Sequence, residues 1–302
     1  MPCTVQSLWV GPKLSDMEIY SIKSFLKQGH KFILYTYENV KGIPKGTIIK
    51  DGNEIIKKKD LFQFKSSFLP FSDLFRYKML YEKGGYWVDL DMICLKPLNF
   101  KSKYVFSSER TIQKGPYRNR TKTEIANIGI LKAPKHSPFY KELFEECMNV
   151  INKKKIKENI QLMRIMRKYL DKYDFHKYVK PSIYFCPLDW WHTKDAFIPP
   201  CCRGKYGVEG YDIKSIFKKA YCVHMWRSIL GKRHKINPND NYCEESLWEN
   251  LKRYVDEKDF SLINNTTEIK KLNHKKKISY KKKISNNNKK LSLKKEKNLM
   301  KK

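Results

Sequence analysis

An α/β fold built on a parallel sheet is what the sequence predicts, and three segments predict it. Residues 4–10 (TVQSLWV) read as a short strand that stops at Gly11-Pro12, residues 15–28 carry helical periodicity, and residues 30–37 (HKFILYTY) return to a strand pattern. A strand, a helix and a second strand at this spacing form a βαβ unit, whose strands run parallel. With 302 residues the chain is long enough for one large α/β domain or two small ones.

The first helix is well marked. Ser15 suits its N-cap, Glu18 stands at the capping-box position, Ile19, Ile22, Phe25 and Leu26 share a face, and Gly29 ends it. Residues 41–60 are polar, with a short strand in TIIKD. A second helix is expected from Pro70, with Ser72 as N-cap, Phe75, Met79 and Leu80 facing inward, and Gly84-Gly85 as its stop. Tyr77 and Tyr81 are assigned to packing with Leu80. YWVDLDMICL then reads as a strand interrupted by two aspartates, and residues 104–109 and 127–131 as two more strands around a basic loop. Helices are expected over 138–152, 156–173 and 244–256, with Met163 and Met166 as core packing. Residues 183–230 are irregular and aromatic-rich.

Hydrophobic residues make up 41% of the chain, which excludes a wholly disordered protein, yet the formal net charge is +32. Fifteen lysines against two glutamates in residues 268–302 supply +13 of it, and residues 1–267 keep +19. The chain is therefore divided into a folded unit, residues 1–262, and a basic Lys/Asn-rich tail, residues 263–302, predicted to be disordered. Such a balance attracts polyanions, so the tail is a candidate contact for an anionic surface. MPCTVQSLWV has neither a basic n-region nor a sustained apolar h-region, and no stretch approaches the ~18–20 apolar residues of a transmembrane helix. A soluble, cytoplasmic protein is expected, with the eight scattered cysteines as reduced thiols. A zinc site from Cys186, Cys201, Cys202 and Cys222 would lack any C-x-x-C pair.

Chemistry concentrates in residues 72–98, where Asp89 and Asp91 follow Gly84-Gly85. On a strand, residues i and i+2 face one side, so both carboxylates can enter one site. Paired carboxylates repel unless a cation neutralises them, and hard oxygen ligands favour Mg²⁺ or Mn²⁺. Asp73 and Arg76 lie one helical turn apart on a single face of the preceding helix.

The run S-D-L-x-R-Y-x-x-L-Y-x-x-G-G-x-x-x-D-x-D-x-x-x-L-K-P-L resembles the signature of the DXD-containing sugar transferases of glycosyltransferase family 32. Initiating mannosyltransferases belong there, and α-1,4-galactosyltransferases and glucosylating toxins share a related signature. QSLWVGP resembles the family's first strand and CVHMWRS its H-x-W element. The resemblance implies an A-type glycosyltransferase fold: a Rossmann-like mixed sheet flanked by helices, with one nucleotide-sugar site. It implies Asp91 as a direct metal ligand, Asp89 touching ribose, sugar or metal, and Asp73 and Arg76 bonded to the donor sugar and phosphate. Trp9 would pack on the base, His224 would be a third ligand or a diphosphate contact, Trp226 would cover the diphosphate, and Asn127 would lie near the donor sugar. The implied activity moves a sugar, with retention, from a UDP- or GDP-sugar donor to a glycan or other acceptor, with Mn²⁺ or Mg²⁺. The toxins carry Tyr where this chain has Trp87, which puts a hydroxyl contact there in doubt. Two other readings stand beside it: a basic nucleic-acid-binding protein, and an inactive nucleotide-sugar-binding relative.

Overall fold

A computed structural model describes residues 3–114, 120–198, 212–258 and 260. The expected βαβ start is present: β1 (Thr4–Trp9), α1 (Asp16–Lys27) and β2 (Lys31–Thr36), with β1 and β2 paired in parallel. The capping box forms as the sequence predicts, the Ser15 N–H donating to Glu18 Oε2 at 2.7 Å. Ile22 and Phe25 are fully buried, while Ile19 and Leu26 pack at the cluster's edge.

Beyond β2 come β3 (Ile48–Asp51), α2 (Leu69–Lys83), β4 (Gly85–Val88) and β5 (Met92–Cys94). β6 (Val105–Lys114) and β7 (Arg120–Ala133) form a hairpin longer than the sequence suggests. The helical remainder is α3 (Pro138–Asn152), α4 (Gln161–Tyr173), α5 (Ser182–Phe185), α6 (Ile213–Lys219), α7 (Arg227–Ile229) and α8 (Leu247–Asp256), with β8 (Cys222–His224) between α6 and α7. The main sheet runs β3-β2-β1-β4-β7-β6. Its first four strands are parallel, and β7 joins β4 antiparallel. This is the Rossmann-like mixed sheet flanked by helices that the resemblance implies. A separate ribbon pairs β5 with β8.

One hydrophobic cluster fills the face under α1 and α8, and a second fills the face under α2, α3 and α4. Phe75, Trp87 and Phe106 are among the fully buried rings of the second cluster, each side chain contributing about 1.5–3 kcal/mol by leaving water. Both glycines after α2 hold positive φ, and at Gly84 a close backbone approach also excludes a side chain. Gly84 has φ +66°, and a Cβ there would stand 2.5 Å from Lys135 N; Gly85 has φ +82° and lies against Gln6 and Thr4.

Four expectations need correction. α2 begins at Leu69, so Ser72 lies inside its first turn and its Oγ accepts from Arg76 Nη2 at 3.1 Å instead of capping. α4 begins only at Gln161, because residues 156–160 fold back and the Lys157 N–H donates to Gln161 Oε1 at 2.6 Å. Asp89 and Asp91 do not sit on a strand. They occupy a turn between β4 and β5, closed by Met92 N–H donating to the Asp89 carbonyl at 3.1 Å. Met166 is core, but Met163 is only partly buried and lines the cavity described below. The tail at 263–302 and two cysteines of the zinc alternative, Cys201 and Cys202, lie outside the described residues. Among the described residues no helix is long and apolar enough to cross a membrane.

Candidate functional site

Where β4 ends, its last turn opens onto a cavity of about 740 Å³. This is the carboxyl edge of the parallel strands, where open α/β sheets place ligands. Trp9, Asp73, Arg76, Asp89, Asp91, His224 and Trp226, from the motif and its two flanking elements, all line it, as does Asn127, which the resemblance named separately.

Asp89, Asp91 and His224 are brought together although 133 residues separate Asp91 from His224 in the chain. One ligand atom from each lies within 4.8 Å of the others. The β5–β8 ribbon makes this happen: Met92 pairs with His224 in register, and Met225 N–H donates to the Asp91 carbonyl at 2.9 Å. His224 Nε2 stands 3.3 Å from Asp91 Oδ1, and Arg227 N–H donates to Asp91 Oδ2 at 2.9 Å. Gly129 leaves room for this ribbon, since a Cβ there would meet Met92 Cε at 2.5 Å and the His224 ring at 3.5 Å. Trp226 holds φ +53°, stacks on the His224 ring at 3.8 Å, and gives its indole N–H to the Leu188 carbonyl.

Electrostatics follow from burial and these pairs. Burial alone would raise the Asp91 carboxyl, but the His224 imidazole and the Arg227 N–H hold it below the usual carboxylate range. Burial opposes the His224 cation, yet Asp91 pushes that imidazole well above its ordinary value. Asp89 is raised by burial, with Arg76 working against the rise and Asp91 adding to it. Two carboxylates and an imidazole, converging at this distance, fit the donor set of a hard or borderline divalent cation.

Arg76 is 3% exposed and saturated. Its Nε donates to the Ser72 carbonyl at 3.3 Å, and Nη1 reaches the Ile128 carbonyl at 2.8 Å and Asp89 Oδ1 at 2.9 Å. Nη2 reaches Asp73 Oδ1 and Ser72 Oγ, each at 3.1 Å. One guanidinium thus stands between two carboxylates and lies over the Trp87 ring at 4.8 Å. Burial pushes the Asp73 carboxyl up to about 7 despite that contact. Trp87 supplies an indole N–H where the resemblance left a contact in doubt, donating to Asp89 Oδ1 at 2.8 Å. Trp9 lines the same cavity, while its Nε1–H is buried and has no partner among the described residues.

Glu18, Glu109 and Arg167 are among the lining residues that sequence reasoning missed. Glu18, read only as a capping-box residue, is fully buried and also ion-paired with Arg227 Nε, which ties α1 to the segment after His224. Glu109 and Arg167 come from β6 and α4 and stand 3.6 Å apart. No local motif marks any of these second contacts, because each partner lies far along the chain.

Residues 15–112 match the family model described as a glycosyltransferase sugar-binding region containing a DXD motif. The matched segment is similar to that region over about a third of the chain. It contains Asp73, Arg76, Asp89, Asp91, Glu18 and Glu109, whereas His224 and Trp226 are delivered to the DXD turn from outside it. Sugar transfer is the activity class of such a region. An uncharacterized protein of Arabidopsis thaliana is 24% identical over 176 residues, 55% of this chain and 26% of that protein. The chain therefore spans about a quarter of the length of this curated relative. A solved structure titled PaToxG glycosyltransferase overlaps 57% of this chain and 70% of its own, at 16% identity and a TM-score of 0.40.

Proposed function

We propose that residues 1–262 form a metal-dependent catalytic unit that moves a sugar from a UDP- or GDP-sugar to a glycan or other acceptor, with retention. The observation that carries this reading is the convergence of Asp89, Asp91 and His224 on one wall of a 740 Å³ cavity beside the DXD turn. These three would hold Mn²⁺ or Mg²⁺, with Asp91 as the principal ligand. When bound, the cation supplies positive charge to the oxygens of a leaving diphosphate.

The chain's own residues then have distinct tasks. Trp9 lines the cavity and offers its ring to the nucleotide base. Asp73 faces the sugar, and Arg76 holds Asp73 and Asp89 in place. Asn127 belongs to the wall nearest the sugar, and Trp226, stacked on His224, shields the diphosphate side from water. The described cysteines are free thiols, which suits a reducing, cytoplasmic setting. The basic tail is proposed as a contact for an anionic surface. A nucleic-acid-binding role would leave the buried acidic turn without a task.

The test is release of nucleoside diphosphate from a panel of UDP- and GDP-sugars with Mn²⁺. At least one donor is expected to be consumed, and Asp91→Asn is expected to abolish consumption. Outer-shell changes alone cost metal sites about 10–100-fold, so losing a direct ligand should cost no less. No donor bound or hydrolysed, with Asp91→Asn indistinguishable from the parent, would sink the proposal.

A further inference from the structure

The wall built by β6 and β7 contains a buried irregularity. Phe106 pairs with Leu131 but Ser108 pairs with Ala126, so residues 127–130 of β7 bulge opposite the single residue Ser107. Ser107 Oγ fills that bulge. It accepts from Ile130 N–H at 3.0 Å and donates to Asn127 Oδ1. Asn127 Oδ1 also accepts from Gly129 N–H at 3.3 Å. The Asn127 Nδ2 donates to Glu109 Oε2 and to Cys186 Sγ, both at 3.2 Å. A side-chain amide offers two lone pairs and two N–H groups, and here all four are used inside the protein. Asn127 therefore has no hydrogen bond left for a ligand.

Glu109 does. A carboxylate offers about four lone-pair directions, and Asn127 takes one. Arg167 Nη2 is 3.6 Å away, too far for a hydrogen bond, and is itself anchored by Nε donating to the Ala126 carbonyl at 2.6 Å. Both side chains line the cavity, with 14% and 25% of their surfaces exposed. A carboxylate so enclosed gains most from a partner that brings O–H donors. A fixed carboxylate next to a fixed guanidinium matches neighbouring hydroxyls, which both donate and accept. Cys186 Sγ, bonded to Asn127, lies 3.7 Å from His224 Nδ1, so this wall begins one side chain away from the proposed cation site. A diphosphate held there carries the nucleoside on one side and the sugar on the other; β1 with Trp9 and β6 with Glu109 lie on opposite sides of β4 and its turn, so a base packed on Trp9 leaves the sugar to the Glu109 wall.

We infer that Glu109 contacts the sugar being transferred: its carboxylate, set by Asn127 and flanked by Arg167, binds that sugar's hydroxyls, while Asn127 acts as a positioning residue. The inference rests on the sugar-nucleotide reading and names the residue that recognises the sugar. The test uses the full chain with excess Mn²⁺ and compares binding of UDP and GDP with UDP-glucose, UDP-galactose, UDP-N-acetylglucosamine and GDP-mannose. Glu109→Gln is expected to weaken the bound nucleotide sugar about 10–100-fold, the loss of a hydrogen bond to a charged acceptor. It is expected to leave the matching nucleoside diphosphate within about 2-fold. Glu109→Asp, which keeps the charge but withdraws it by one methylene, should show the same split if the Gln variant folds poorly. A ratio of sugar-nucleotide to diphosphate affinity that neither variant changes, or an equal loss of both ligands, overturns the inference while leaving the sugar-nucleotide reading intact. Failure of the parent protein to bind any diphosphate overturns both.

Discussion

Replacing Arg76 by Met would keep the apolar length of the side chain and remove the guanidinium's donors from a buried crossroads, leaving the Trp87 N–H on Asp89. Arg76 is 3% exposed, and its nitrogens serve Asp73, Asp89, Ser72 and the Ile128 carbonyl. Breaking a buried ion pair by deleting one partner costs about 3–5 kcal/mol, because the remaining charge stays buried without compensation. Here two carboxylates are left, at 5% and 23% side-chain exposure, and the upper half of that range is expected. Asp73 can escape by taking up a proton, since its carboxyl already sits near about 7 with Arg76 present. The cost should therefore grow above pH 7, by up to about 1.4 kcal/mol per pH unit. The assay is urea denaturation of the metal-free protein at pH 6 and pH 8, with the Asp73→Asn/Arg76→Met double variant beside the single one. The double variant should recover stability, because it removes the stranded charge. A single-variant cost below about 1 kcal/mol at pH 8 would refute the buried crossroads. So would a double variant no more stable than Arg76→Met.

Asp73 also predicts a pH dependence in the parent protein. Its folded value of about 7 lies above the ordinary carboxylate value, so the folded state binds the extra proton between about pH 4 and 7. Stability from this group is fully present below about pH 4 and falls by about 4 kcal/mol as pH rises through 7; Asp73→Asn should flatten that slope in metal-free urea melts. Gly84→Ala places a Cβ 2.5 Å from Lys135 N at φ +66°, and should cost about 2–4 kcal/mol in the same melts. A cost below about 0.5 kcal/mol would mean that α2 and β4 meet differently.

Much of this molecule is legible from local pattern. The βαβ start, the capping box at Ser15, the stop at Gly84 and the edges of α3 are all short-range features, and the structure has each of them. What failed locally failed for tertiary reasons. Ser72 looks like a cap, but Pro70 starts the helix earlier and Arg76 claims the hydroxyl. Met163 has core periodicity, yet on α4 it packs only at the rim of the second cluster and lines the cavity. Asp89 and Asp91 share a site as expected, but by the geometry of a turn and not by strand alternation.

The sequence by itself determined the fold class and the chemistry on offer: a parallel α/β start, and a Gly-Gly, D-x-D run preceded by Asp73 and Arg76. These depend on spacing within one or two elements, which the local chain encodes. Only the tertiary structure decided which groups meet. The β5–β8 ribbon carries His224 to Asp91, α1 returns Glu18 to Arg227, and the bulge in β7 consumes Asn127 while leaving Glu109 with acceptor capacity. Hydrogen-bond capacity is spent on neighbours in space, so which residue keeps some for a ligand is settled only when the chain has folded.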